Sequence, residues 1–196
     1  MYSQGVCECM DSSGGVQKSM IECFSKSIEK NKAQFNKEVG GRGDTSENSV
    51  TELFNELLFD VQIDLIGICK SFYQYMDSLD RLRDKDLNTD SLQNEMLRLN
   101  LLDQSKKNKD YYMVKANLFI QLGDYNNALK ISDSLISKDS ADVVGLLLKA
   151  LVLDKKGDYG HSEQVYNKLV AITGKRGFLL FAALAKRRKE AAKLSK

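Results

Sequence analysis

The chain has 196 residues, 42% hydrophobic and 29% charged, with no proline and a formal charge of +2 at pH 7. That length allows one domain with a sizeable core plus an appendage, and a proline-free chain rich in Lys, Glu, Leu, Asn and Asp is predicted to be mostly helix. Four unevenly spaced cysteines, Cys7, Cys9, Cys23 and Cys69, do not read as a secreted disulfide framework and predict reduced intracellular thiols.

Residues 1–15 are small and polar, and are predicted to be disordered. They lack the basic start and apolar run of a signal peptide. No run of eighteen apolar residues occurs, so no membrane-spanning helix is expected and the compartment is predicted to be cytoplasmic or nuclear. An amphipathic helix is predicted at about 16–38, with Val16, Met20, Cys23, Phe24 and Ile28 on one face. The glycine-rich stretch that follows Val39 gives a flexible break at 40–48. Ser49 and Glu52 then read as a capping box opening a long helix over 50–82. Its apolar stripe runs Val50, Phe54, Leu57, Val61, Leu65, Ile68, Phe72, Met76, Leu79, an average step of about 3.6 residues, that of a straight helix. A second stripe, Leu53, Leu58, Ile63, Ile66, Cys69 and Tyr73, lies beside it. So apolar a helix is expected to be covered by the rest of the chain, by a second copy or by a partner protein, with Phe54, Leu57, Val61, Leu65, Ile68 and Phe72 as the packing residues. Arg81–Asp90 reads as a charged loop, 91–103 as a short helix, and Lys106–Lys109 as a turn.

Gly123-Asp124-Tyr125 recurs as Gly157-Asp158-Tyr159, and 157 minus 123 is 34. Lys115-Ala116 and Lys149-Ala150 precede the two triplets at the same interval. A 34-residue period predicts repeated helix–turn–helix units. On these residues the stretch 109–176 resembles two tetratricopeptide repeats, 109–142 and 143–176. Their signature places hold Tyr112, Ala116, Phe119, Ala128 and Leu135 in one unit, and Leu146, Ala150, Leu153, Tyr166 and Leu169 in the other. Small residues at 116, 128 and 150 let paired helices approach, while large ones fill the space between pairs. The pattern departs from the family at Lys115 and Lys149, where leucine is usual, at Ser162, and at Ser140 and Gly174 in place of the terminal proline. The expected architecture is all-α: a helical region over 16–103, the two repeats within 104–176, and a basic capping helix and tail over 177–196. Two repeats are few for a free-standing solenoid. The helix at 91–103 and a cap led by Phe178, Leu179, Phe181, Ala182 and Leu184 are expected to cover the ends.

The resemblance implies a concave face that binds peptides or helices. Here that face is expected to present Met113, Asn117, Ile120, Leu147 and Leu151. Of the family's carboxylate-clamp positions only Asn117 matches, the others holding residues such as Met113, Val144 and Leu148, so an apolar amphipathic helix is the expected ligand. It is supplied either by another protein or by the chain's own 50–82 helix. No catalytic constellation is expected, because His161 is the single histidine and gives no dyad or triad. No metal or other cofactor is expected either, since the cysteine spacing lacks paired zinc-site sets and no glycine loop matches a phosphate-binding pattern.

The tail over 175–196 holds eight basic residues against Glu190, a charge of +7 that leaves −5 for everything before it. Lys186-Arg187-Arg188-Lys189 reads either as the solubilising end of a cap helix or as a patch for RNA phosphates, anionic lipid or an import factor. The leading expectation is therefore a non-enzymatic interaction scaffold or adaptor. The alternative is an RNA-associated subunit that uses the basic tail.

Overall fold

The computed structural model describes residues 2–13, 17–41, 43, 46–82, 88–102 and 108–194. Val16, Arg42, Asp44, most of the predicted charged loop and the Lys106-Lys107 turn lie outside the described residues. Every described element is an α-helix, with no strand among the described residues. The chain divides into two compact units, Met1–Leu79 and Asp80–Lys196.

The first unit carries α1 (Tyr2–Ser13), α2 (Gln17–Lys30), α3 (Lys32–Gly41), α4 (Glu47–Ile68) and most of α5 (Lys70–Leu82). Its first helix corrects the expectation of a disordered N-terminus. Tyr2, Val6 and Met10 recur at the four-residue spacing of one helix face, and all three are buried. Helix α1 packs on α2 and α4, in which Cys23 and Phe24, and Leu53, Val61, Leu65 and Ile66, are buried as well. Ring contacts continue the seam, Tyr2 on Phe24 at 6.3 Å and Phe24 on Phe54 at 5.0 Å. Polar side chains fix the register: Ser3 Oγ donates to Asp64 at 2.7 Å, and Ser27 Oγ to the Tyr2 carbonyl at 3.2 Å.

The cysteines overturn a second expectation. Cys7 is joined to Cys69 and Cys9 to Cys23, with Cα–Cα distances of 5.5 and 5.7 Å, within the ordinary disulfide range. No cysteine is left as a free thiol, so the reduced-thiol reading, on which the cytoplasmic expectation leaned, is corrected. The two bonds clamp α1 on two sides, to α2 and to the end of α4.

The predicted 50–82 helix is two helices. At Cys69 the backbone turns extended (φ −104°, ψ 107°), where the buried sulfur is tied to α1. Helix α4 also begins before the predicted capping box, at Glu47, because Ser46 is the N-cap and accepts from the Ser49 amide at 3.3 Å. The predicted 16–38 helix is likewise interrupted, at Asn31. Of the six packing residues expected on the long helix, Val61, Leu65 and Phe72 are buried, Phe54 and Leu57 are half-buried, and Ile68 is 58% exposed. Much of the stripe is thus covered inside its own unit, by the helix the sequence hid.

The second unit carries α6 (Thr89–Asn100), α7 (Lys109–Gln121), α8 (Tyr125–Lys138), α9 (Val143–Lys155), α10 (Tyr159–Thr173) and α11 (Gly177–Leu194). The 34-residue recurrence is geometric as well as sequential. Asn108 and Asp142 are the N-caps of α7 and α9, and Asp124 and Asp158 those of α8 and α10. Gly123 and Gly157 hold φ of 76° and 80°, a left-handed conformation suited to glycine. The Asp124 and Asp158 amides donate back to Phe119 and Leu153 at 2.8 and 2.9 Å. Ala116, Ala128, Ala150 and Ser162 are fully buried between helices. Ser162 keeps its hydroxyl satisfied by donating to the Ala150 carbonyl across the pair at 2.9 Å, which explains how a polar residue occupies a small-residue position.

Successive pairs are tied at their starts. Asp142 caps α9 by accepting from the Gly145 amide at 2.8 Å and meets Lys109 Nζ, at the start of α7, at 2.5 Å. Burial by itself would raise this carboxyl. The Lys109 ammonium and the Gly145 and Val144 amides outweigh burial and hold it below its ordinary 3.8. A carboxylate with a depressed folded pKa contributes stability that is complete above about pH 4 and is lost as pH falls through the lower folded value. We expect Asp142→Ala to cost about 1–2 kcal/mol at neutral pH through the lost cap. It should also flatten the acid limb of the denaturation profile below pH 4. Denaturant titrations from pH 2 to 7 check this, and an acid limb of unchanged slope would contradict it.

Candidate interaction surfaces of the helix hairpins

At the C-terminal end the array is closed. Helix α11 packs on α10, and Ala182 with Phe178 joins the core of Leu146, Ala150, Tyr166 and Leu169. Phe181 stacks on Tyr166 at 5.5 Å. A helix thus stands at Gly177–Leu194, where a cap was expected, and packs on α10.

The N-terminal end is built differently. Helix α6 stands before α7 much as α8 stands before α9. Lys115 Nζ donates to Asn100 Oδ1 at 2.8 Å, as Lys149 Nζ meets Asp133 Oδ1 at 2.8 Å one unit later. The contact residue differs. Gly145 lets α8 close onto α9, since an added Cβ would meet Leu135 Cβ at 2.9 Å and the Ser132 carbonyl at 3.2 Å. Thirty-four residues earlier stands Tyr111, whose ring is buried with Leu99 and Leu118 and lies edge-on to Tyr112 at 5.1 Å. Helix α6 covers Tyr111 and Leu118 but leaves Tyr112 and Phe119 half-buried.

Beside them runs a cleft between α7 and α8. One part, about 360 Å³, is lined by Tyr112, Lys115, Phe119, Asn127, Lys130 and Ile131, with Tyr111 at its edge. A second part, about 180 Å³, shares Tyr112, Lys130 and Ile131 and continues along Ser134, Leu135 and Lys138. From Asn127 to Lys138 the wall is about 16 Å long at 1.5 Å per residue, or three helical turns. The floor is apolar and the rim is lysine. Lys130 Nζ donates to Asn127 Oδ1 at 3.3 Å, and Lys115 to Asn100 and to the Tyr111 hydroxyl. Among the described residues no carboxylate pairs with Lys115, Lys130 or Lys138. Leu97 and Leu101 of the adjoining α6 edge are 61% and 87% exposed.

The concave-face residues expected from sequence lie elsewhere. Met113, Asn117, Ile120, Leu147 and Leu151 are half-buried. Ile120 packs against Ala116, Leu135 and Leu148, and Leu147 against the α9–α11 core. Leu151 faces a crevice of about 20 Å³ beside Phe181, Leu184 and Arg188. None of the five lines the α7–α8 cleft. The cleft residues Tyr112, Phe119 and Leu135 were legible as repeat signature positions, which normally pack between neighbouring pairs. Here Leu135 is buried with Ala116 and Leu148, whereas Tyr112 and Phe119 stay half-buried.

The basic run is partly spent within the fold. Arg188 is buried and ion-paired with Asp154 of α9, whose side chain is largely covered. Lys189 meets Glu163 at 3.5 Å, and Arg187 meets Glu190 at 3.4 Å. Lys186 is exposed. His161 is exposed and holds its own N-cap, with Nδ1 2.8 Å from Asp158 Oδ2. In the first unit Cys7, Asp11 and Cys69 present a sulfur–oxygen–sulfur cluster within 4.8 Å. Both sulfurs are joined in a disulfide and Asp11 accepts from Ser71 Oγ at 2.6 Å, so the thiolates that a metal would need are absent in this oxidised form.

Among the described residues no helix is long and apolar enough to cross a membrane. No protein-family model matches the chain, and no curated protein and no solved structure matches it either.

Proposed function

We propose that this chain is a non-enzymatic interaction module, an adaptor or scaffold subunit whose C-terminal hairpins act as divergent tetratricopeptide repeats and bind a helix of a partner protein. The observation that carries the reading is the α7–α8 cleft, apolar along its floor and three turns long at the open end of an otherwise capped array. Helix-in-groove docking needs that shape and length. The basic tail supports an RNA-binding reading less well, since Arg187, Arg188 and Lys189 are already ion-paired inside the unit. Two disulfides in one small unit further support folding in an oxidising compartment.

The test is binding of fluorescent amphipathic helical peptides to the full chain by anisotropy. A peptide with apolar residues at helical spacing is expected to bind, and Ile131→Asp is expected to abolish binding while the circular dichroism spectrum is retained. If no amphipathic peptide binds, whatever its polar face, the reading fails.

A further inference from the structure

We infer that the α7–α8 cleft is specific for an acidic amphipathic helix of about three turns, carried by a partner protein. The inference rests on the interaction-module reading and adds the chemistry of the partner.

The argument comes from comparing two places related by the 34-residue recurrence. At the second, Lys149 is neutralised by Asp133, and the places of Lys130 and Lys138 hold the uncharged Gln164 and Ile172. The internal junction between hairpins therefore leaves no cation of this set without a carboxylate. At the first, Lys115 meets the neutral Asn100, Lys130 meets the neutral Asn127, and Lys138 closes the far end of the cleft. Three ammonium groups thus stand around an apolar floor of Tyr112, Phe119, Ile131 and Leu135 with no carboxylate opposite them among the described residues. Lys115 lies on α7, whereas Lys130 and Lys138 lie on α8, so cations border the cleft from both walls. An amphipathic helix seated there buries its apolar face on the floor and turns its flanking side chains toward both rims. Glutamate or aspartate at those flanks meets the lysines, whereas lysine there meets like charge. Complementarity of this kind selects partners and speeds encounter more than it adds affinity.

The experiment uses three peptides with one apolar face and polar faces of Glu, Gln or Lys, titrated against the full chain at low and physiological salt. The Glu-faced peptide is expected to bind about tenfold more tightly than the Gln-faced one at low salt, a preference that shrinks as salt rises. The double variant Lys130→Glu/Lys138→Glu, which changes only rim side chains, is expected to bind the Lys-faced peptide in preference. Equal binding of the Glu and Gln peptides, within twofold, overturns the acidic partner but leaves the interaction module standing. If none of the three binds, both fail. If the chain alone forms dimers by light scattering that the double variant dissolves, the occupant is a second copy and the inference is wrong. Equally tight competition by a polyuridine oligonucleotide would also overturn it, because the cleft would then read charge without an apolar face.

Discussion

Arg188→Ala is expected to destabilise the C-terminal unit by about 3–5 kcal/mol, because it removes one partner of a largely buried ion pair with Asp154. The two side chains are only 8% and 10% exposed. They join α11 to the end of α9, so the pair also fastens the cap to the second hairpin. Replacing both partners by apolar residues of similar size, Asp154→Leu with Arg188→Met, should restore stability to near the parent level or above it. Denaturant unfolding of the full chain, followed by helical circular dichroism, reads both. A single substitution costing under 1 kcal/mol would show that the pair is solvated, and would return Arg188 to the surface patch that the sequence suggested.

Reduction of the disulfides should have an effect of similar size in the first unit. On the chain-entropy account, closing the Cys7–Cys69 separation of 62 residues contributes about 4 kcal/mol, and the Cys9–Cys23 separation of 14 about 3 kcal/mol. Cys69→Ser alone should cost more than Cys23→Ser, since it opens the longer loop and frees α1 from the end of α4. Loss of both bonds should release α1 and uncover Val61, Leu65 and Phe72. Melting the full chain with and without reductant, alongside alkylation of the unreduced native chain, checks this. Four thiols that alkylate without reductant would contradict the pairing.

The C-terminal half was the legible half. Gly123 and Gly157 need a left-handed backbone, and Asp124 and Asp158 cap the helices that follow, so turn chemistry local to three residues revealed the period. The all-helical class followed from the same patterning and from the absence of proline. Helix α1 was hidden because its stability is tertiary. Twelve residues of mixed polarity, Gly5 among them, make a poor helix alone, and they are held by two disulfides and a three-residue stripe. The break at Cys69 was hidden for the opposite reason: the apolar spacing of about 3.6 runs through it undisturbed, and only the bond to Cys7 marks the place.

The proposed interaction surface was half legible. Tyr112 and Phe119 were read from sequence as packing positions, yet nothing in their spacing says that they stay only half-buried. That depends on what stands before α7, and there Tyr111 occupies the place where Gly145 permits close approach one unit later. Likewise, Arg188 reads as one of four consecutive basic residues, and only the fold shows that helix α11 turns it inward.

The most direct measurement is hydrogen–deuterium exchange of the full chain with and without a saturating Glu-faced amphipathic peptide. Added protection is expected over Lys109–Lys138, the span of α7 and α8, with no change over Gly177–Leu194. Protection centred on the basic α11 segment, or no added protection anywhere, would contradict the assignment of the α7–α8 cleft as the docking surface.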